Sequence, residues 1–222
     1  MTKKIVLIGA GGFGREVASI IQVLNMAADH RNWEHPYELL GFLDDSDEFH
    51  EGMLINGLPW LGKKEWILDH KDEVVCNCTI ATPKVKRKIQ EELTAQGVEF
   101  ETIVAWGGYI ADYTKIVKGC VFYGGVTIAV NCEIGDGVLM NQDVTIGHDS
   151  TIGDYTIIMP TTGVSGKCHI GSEVFIGGHA FFVPGRKVGD GATVAAGSIV
   201  FSNVKAGTTV LGNPAKRMKA IE

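Results

Sequence analysis

From Ile110 to Val200 a branched or bulky apolar residue returns at every sixth position without a slip: Ile110, Ile116, Phe122, Ile128, Ile134, Met140, Ile146, Ile152, Ile158, Val164, Ile170, Ile176, Phe182, Val188, Val194 and Val200. Two residues before nearly every one stands a small or β-branched residue, among them Cys120, Val126, Ser150, Thr156 and Cys168; only Arg186 breaks this second register. A period of six fits neither the helix nor simple strand alternation. It fits a short strand followed by a corner. Positions two apart on a strand point the same way, so each hexad sends one small and one large apolar group inward before the chain turns. Three hexads make a coil of eighteen residues whose backbone groups pair with the coils above and below at ~4.8 Å, which signals a parallel β-helix. Glycine follows the bulky position at Gly135, Gly147, Gly153, Gly171, Gly177 and Gly189, where a sharp turn is expected to need positive φ.

The pattern changes near Glu101, which argues for two domains, 1–105 and 106–222. Upstream, residues 3–8 read as a strand, 9–14 as a glycine loop and 15–21 as a helix. Residues 39–43 read as a second strand, 60–69 as a short helix, 73–80 as a third strand and 83–96 as a helix. Strands alternating with helices imply a small parallel sheet. The expected architecture is therefore α/β followed by β: a small Rossmann-like domain, then a β-helix of hexapeptide repeats. After Val200 the register lapses, and a solenoid needs a cap over its last coil.

Gly9, Gly11 and Gly14 satisfy G-x-G-x-x-G, whose glycines let a backbone approach a diphosphate at the positive end of a helix. An NAD site places an acidic residue about 20 residues on. Here Asp44 and Asp45 come thirty residues after Gly14, and the domain has room for about half a dinucleotide fold. Both features favour a mononucleotide or nucleotide sugar. The other reading is structural, a tight packing turn at the glycines and a plain turn at the aspartates. Thr82 lies at the carboxyl end of the third strand, where ligands of open α/β sheets gather. Arg87, one turn into the next helix, either reaches a phosphate or base or shares a solvated face with Lys84, Lys86 and Lys88.

A net charge of −6 gives no general attraction to nucleic acid or anionic lipid, and no apolar run approaches the ~20 residues of a membrane span. Of five cysteines, Cys120, Cys132 and Cys168 fall in the small inward register, and Cys76 and Cys78 lack C-x-x-C spacing. This usage suits the cytoplasm. Lys216, Arg217 and Lys219 form a basic cluster suited to phosphates or to solvation.

His148, two residues past the inward Ile146, falls on a corner with its ring expected to face outward. Steps of eighteen stack it with Gly166 and Pro184, a column lacking bulk beside the imidazole. Asp149 can orient and charge-balance that ring, as a carboxylate does for a general base. The other reading is an exposed polar corner residue. His148, His169 and His179 share no eighteen-residue phase, which argues against a three-histidine metal site, and no metal is expected.

Ile-Gly-Ala-Gly-Gly-Phe-Gly-Arg-Glu at 8–16, Gly-Phe-Leu-Asp-Asp at 41–45, Gly-His-Asp-Ser-Thr-Ile-Gly-Asp at 147–154 and Gly-Asn-Pro-Ala-Lys at 212–216 together resemble the bacterial nucleotide-sugar acetyltransferases. That family includes N-acetyltransferases of UDP- or dTDP-4-amino-4,6-dideoxy sugars and the related sialic acid O-acetyltransferases. The resemblance implies a left-handed β-helix, a homotrimer with active sites between neighbouring prisms, and a part in surface polysaccharide biosynthesis. It implies that Gly11, Gly12, Phe13, Asp44 and Asp45 hold the nucleotide and that His148, paired with Asp149, is the base; Thr82 and Arg87 join the expected substrate site from their place at the sheet edge. Acetyl-CoA is then the co-substrate, contacted at Gly166, Gly178 and Ala196. Two departures stand out: a second histidine of some members is Ile157 here, and their His-Pro-like entry to the β-helix is Ala105-Trp106-Gly107. The expected reaction is direct transfer of acetyl to the amine of a nucleotide-linked 4-amino-4,6-dideoxy sugar. The rivals are sialic acid O-acetylation and a scaffold that binds nucleotide sugar without turnover.

Overall fold

The computed structural model describes residues 2–218, so Lys219 of the basic cluster lies outside the described residues. The chain divides into two compact units, Met1–Trp106 and Gly107–Glu222.

The first unit runs β1 (Lys3–Ile8), α1 (Gly12–Asp29), β2 (Tyr37–Leu43), β3 (Leu54–Ile55), β4 (Leu58–Gly62), a 3-10 turn (Lys64–Asp69), β5 (Val75–Cys78) and α2 (Pro83–Ala95). The sheet order is β3-β4-β2-β1-β5, with β1 parallel to both β2 and β5. The chain thus leaves β1 in one direction to reach β2 and returns to its other side for β5, which makes the carboxyl end of β1 a topological switch point. Buried Val6, Ile8, Leu43, Cys76, Cys78 and Leu93 share one apolar cluster.

Three expectations for this unit change. The helix begins at Gly12, not at residue 15, because the end of the glycine loop is already helical. A Cβ on Gly14 would collide with the Gly9 carbonyl oxygen, so helix and strand approach this closely only over glycine. Residues 60–62 are strand rather than helix. Asn56 and Gly57, at φ 50° and 82°, form the positive-φ pair of a tight hairpin that joins β3 antiparallel to β4 and sets Trp60 against Phe42 of β2. The third strand is shorter than residues 73–80: Thr79 N–H still donates to Ile8 O at 2.9 Å, but regular pairing ends at Cys78 as the chain turns toward Pro83.

The second unit is a left-handed parallel β-helix. Two-residue strands recur on three faces, illustrated by Thr127–Ile128 and Thr145–Ile146, Glu133–Ile134 and Thr151–Ile152, and Leu139–Met140 and Ile157–Ile158. Each pairs in parallel with the strand eighteen residues on, as Thr127 with Thr145 and Ile128 with Ile146. The bulky register fills the interior, with Ile128, Met140, Ile158, Ile176 and Phe182 fully buried. The small register does more than fill space. Thr156 Oγ donates to Gly171 O at 2.8 Å, and Cys120, Cys132 and Cys168 point thiols at the carbonyls of Gly135, Gly147 and Val183. Each reaches the corner carbonyl fifteen residues ahead. Arg186, the register's exception, keeps the pattern by sending Nη1 to Phe201 O at 3.1 Å.

The glycine expectation also needs correction. None of the six glycines after the bulky position has positive φ; that conformation falls two residues later, at Gly137, Asp149, Tyr155, Glu173, His179 and Gly191. The six are glycine because stacked corners leave no room: a Cβ on Gly147 would strike the backbone of Gly166, and one on Gly177 that of Ala196. Nor does the repeat stop at Val200. Val204 bridges Val188, and Val210 pairs with Val194, in each case sixteen residues on, so the last coil is two residues short. Lys216–Arg217 then turns back antiparallel on Thr209–Leu211, closing that end against further parallel pairing.

Candidate active site

His148 stands at the corner between Thr145–Ile146 and Thr151–Ile152. Its carbonyl accepts Lys167 N–H at 2.8 Å, and Asp149 N–H donates to Val130 O at 3.1 Å, so the corner is clamped by the coils on both sides. Asp149 holds φ 58°, a conformation aspartate tolerates better than most residues. That turn swings its carboxylate back onto the preceding ring, placing Oδ2 2.7 Å from His148 Nδ1. The side chains are 57% and 44% exposed, open to a ligand.

An ionised carboxylate only accepts hydrogen bonds, so Nδ1 is the donor of this pair, which in the neutral ring leaves the lone pair on Nε2. The hydrogen bond from His148, and after it one from Asn131, lower the Asp149 pKa from its ordinary value. Nε2 leans over Gly166 of the next coil, where an added Cβ would lie 2.7 Å away. His148, Asp149 and Gly166 therefore form one cluster. Of the other histidines in the repeats, His169 and His179 pair through Nδ1 with the uncharged hydroxyls of Thr151 and Thr161 at 3.0 and 2.8 Å.

Gly178 and Ala196 occupy a different corner of the prism. Gly178 follows Phe175–Ile176 and precedes Phe181–Phe182, and Gly197 N–H donates to its carbonyl at 2.9 Å. The three glycine and alanine positions thus separate, with Gly166 beside His148 and the other two stacked on another edge.

In the first unit the carboxyl ends of β2, β1 and β5 bring the glycine loop, the Asp pair and Thr82 to one edge of the sheet. Gly11 caps α1 without a side-chain bond, and a Cβ on either Gly11 or Gly12 would meet nothing within 4 Å. Asp44 ties this loop together: Oδ2 accepts Ala10 N–H at 2.8 Å, Oδ1 accepts Ser46 N–H at 2.9 Å, and its carbonyl accepts Trp60 Nε1–H at 3.1 Å. Asp45 Oδ1 accepts Lys64 N–H at 2.8 Å. Thr79 Oγ lies 3.0 and 2.9 Å from the carbonyls of Ile8 and Gly9, bracing the loop from the β5 side. Thr82 caps α2. Arg87 pairs with Glu91 at 2.8 Å on the same helix. Phe13 is half-buried within the first turn of α1.

Sequence reasoning missed Asn131 and Lys64. Asn131 lies eighteen residues before Asp149, a spacing that carried the signal, and donates from Nδ2 to Asp149 Oδ1 at 3.2 Å. Lys64 offered no pattern, because its place beside Asp45 depends on the hairpin that precedes it. All five cysteines are buried, and none forms a disulfide. Burial pushes the thiols of Cys76, Cys78, Cys132 and Cys168 up in pKa, so they are inert rather than nucleophilic. Among the described residues no three His, Cys, Asp or Glu gather as a metal site, and no helix is long and apolar enough to cross a membrane.

A stacked-coil prism carrying a carboxylate-oriented imidazole on an open corner, preceded by a nucleotide-binding type of α/β unit, defines the class of hexapeptide-repeat acyltransferases. The PglD N-terminal domain family matches residues 4–93. The GDP-perosamine N-acetyltransferase of Escherichia coli O157:H7 is 32% identical over 218 residues, spanning 96% of this chain and 95% of that protein. The chain belongs to the nucleotide-sugar acetyltransferase family. The acetyltransferase domain of PglB from Neisseria gonorrhoeae FA1090, solved in complex with acetyl coenzyme A, superposes with a TM-score of 0.83 at 27% identity over 98% of this chain and 100% of that one. PerB from Caulobacter crescentus, solved with CoA and GDP-perosamine, shares the fold at a TM-score of 0.84 and 19% identity, covering 99% of each chain.

Proposed function

We propose that this protein transfers the acetyl group of acetyl-CoA to the amine of a nucleotide-linked 4-amino-4,6-dideoxy sugar, with His148 as general base. The observation that carries the proposal is the His148 dyad, Nδ1 bound to Asp149 at 2.7 Å in an exposed ring that lies over Gly166, in a chain related over 96% of its length to an N-acetyltransferase of GDP-perosamine.

In this reaction the neutral sugar amine attacks the thioester carbonyl. A C–N bond forms, the C–S bond breaks, and one amine proton passes to His148 Nε2 and on to the departing CoA thiolate. Asp149 holds the ring in the tautomer that leaves Nε2 basic and balances the imidazolium as it forms. The oxyanion needs a donor, and the Gly166 N–H, on the backbone beneath the ring, is the group we assign. The thiols stay protonated at neutral pH, which favours direct transfer over an acyl-cysteine.

The nucleotide is held by the first unit: the backbone at Gly11, Gly12 and Phe13, where α1 begins, receives the diphosphate, Asp44 fixes the loop, and Asp45, Thr82 and Arg87 line the same sheet edge. The pantetheine arm of acetyl-CoA runs past Gly166, Gly178 and Ala196. Gly166 and Gly178 sit on different corners of one prism, which favours a homotrimer in which the His148 corner of one protomer faces the Gly178 corner of its neighbour. Exposed Val130, Tyr113 and Phe181 on the prism supply apolar surface for that contact. A cytoplasmic enzyme preparing sugars for a surface polysaccharide is the corresponding role.

The test is release of free thiol from acetyl-CoA with GDP-, UDP- and dTDP-linked 4-amino-4,6-dideoxy sugars and with sialic acid, the products identified by mass spectrometry. N-acetylated nucleotide sugar is expected. Acetylation of sialic acid alone, or no turnover with any acceptor, overturns the reading. Light scattering checks the assembly, and an active species near the 23.9 kDa monomer would overturn the trimer.

A further inference from the structure

We infer that Asn131 is a positioning residue for the general base, the first member of an Asn131–Asp149–His148 hydrogen-bonded chain that crosses from one coil to the next. The inference rests on the proposed role of His148. Asn131 Nδ2 donates to Asp149 Oδ1 at 3.2 Å, while Asp149 Oδ2 meets His148 Nδ1 at 2.7 Å. The two carboxylate oxygens are thereby divided between two partners, and a carboxylate bound at one oxygen is no longer free to rotate away from the ring.

The geometry explains why the role falls to asparagine. Asn131 and Asp149 sit on the same corner one coil apart and share the left-handed conformation, at φ 59° and 58°. Among residues with side chains, asparagine and aspartate adopt it most readily. An aspartate at 131 would face its neighbour with an acceptor and a like charge; asparagine combines the backbone preference with a short N–H donor. Both side chains are largely exposed, so water competes for Asp149. The asparagine therefore narrows the orientations of the carboxylate rather than creating its bond to histidine.

The substitution of choice is Asn131→Gly, since glycine takes this φ without strain and removes only the amide. Asn131→Asp keeps shape and backbone preference and replaces the donor with an acceptor. The direct readout is the imidazole nitrogen spectrum of His148 in the full-length protein labelled with 15N-histidine at pH 8, the signal assigned by its absence in His148→Ala. The wild type is expected to show Nδ1 protonated. Both variants are expected to drift toward the Nε2–H form that free histidine prefers. In kinetics with acetyl-CoA and GDP-perosamine, or another accepted nucleotide amino sugar, kcat is expected to fall about tenfold, with both KM values changing less than about twofold, as for loss of an interaction made in the transition state. In an Asp149→Gly background Asn131→Gly is expected to add nothing, because the two act through one path. An unchanged spectrum, or an equal loss of kcat with and without Asp149, overturns the inference and leaves acetyl transfer standing. Near-normal kcat in His148→Ala instead removes the base and the chain with it.

Discussion

A methyl group added to Gly166 would lie 2.7 Å from Nε2 of His148 and 2.9 Å from Cε1, so the ring of one coil rests on the bare backbone of the next. Glycine at 166 is not needed for its φ, which lies outside the left-handed range. What it provides is clearance: with no Cβ at 166 the imidazole can lie against the backbone of the next coil.

Gly166→Ala therefore separates chemistry from folding. The side chain of alanine must push the ring aside, and because His148 is exposed it can move at little cost, so stability should change by no more than about 0.5 kcal/mol, the usual size for a surface substitution. Activity should fall about a hundredfold, as expected for an ångström-scale misplacement at a reacting centre. Thermal unfolding and initial rates on one preparation check both. Full activity would mean that the position of the ring over Gly166 does not matter.

His148→Ala should lose about 10²–10⁴-fold in kcat, the usual contribution of a general base. The hydrogen bond from His148 lowers the Asp149 pKa, so its carboxylate remains ionised as pH falls through the ordinary value near 3.9. Interactions of that ionised form are fully present above the unfolded pKa and are lost only as pH drops through the lower folded value. The contacts of Asp149 with His148 and Asn131 should therefore survive acidification that protonates an ordinary aspartate, as read from the carboxyl carbon shift of Asp149 during a pH titration. A carboxyl that titrates at or above the ordinary aspartate value would overturn this.

The β-helix was legible because its period is imposed by geometry: three equal faces demand an inward residue every six positions, and from Ile110 to Val200 no insertion disturbs the count. Contacts between coils were less so. The glycines after the bulky position suggested positive φ, but their requirement is clearance from the coil above, as at Gly147 over Gly166, and only stacking reveals it. The solenoid's continuation through Val204 and Val210 was hidden by a two-residue deletion that moved the register rather than ending it. In the first unit, Trp60 was read with a helix because the Asn56-Gly57 turn that turns it back into the sheet was not weighed. His148 and Asp149 were legible as neighbours. Asn131 was not, since its relation to Asp149 needs both the eighteen-residue coil and the left-handed backbone at each end.

Thr156 tests the carbonyl ladder inside the prism. Its hydroxyl donates to Gly171 O at 2.8 Å and accepts Val174 N–H at 3.1 Å, serving two buried backbone groups of the next coil. Thr156→Val keeps the shape and leaves both unpaired, which should cost about 1–3 kcal/mol. Thr156→Ser, retaining the hydroxyl, should recover most of the hydrogen-bond loss. Denaturant titration distinguishes them, and equal stability of the valine variant would show that the hydroxyl only fills space. The folded valine variant should acetylate normally, since Thr156 points into the prism.

Asp44→Ala tests the division of labour between the two units. Asp44 joins the glycine loop after β1 to the turn after β2 through Ala10 N–H and Ser46 N–H, and a hydrogen bond to a charged acceptor contributes about 1.5–3 kcal/mol. Its loss should let the loop relax from the conformation that presents the Gly11 and Gly12 backbone, raising KM for the sugar nucleotide by about tenfold or more, one decade per 1.4 kcal/mol. KM for acetyl-CoA should stay within about twofold, because Gly166, Gly178 and Ala196 all belong to the β-helix. Gly12→Trp, which fills open space at the same loop, should act in the same sense without touching Asp44. Steady-state kinetics with each substrate varied in turn read the two constants separately. An equal rise in both would mean that the first unit also shapes the acetyl-CoA site, and a rise for acetyl-CoA alone would reverse the assignment of substrates to units.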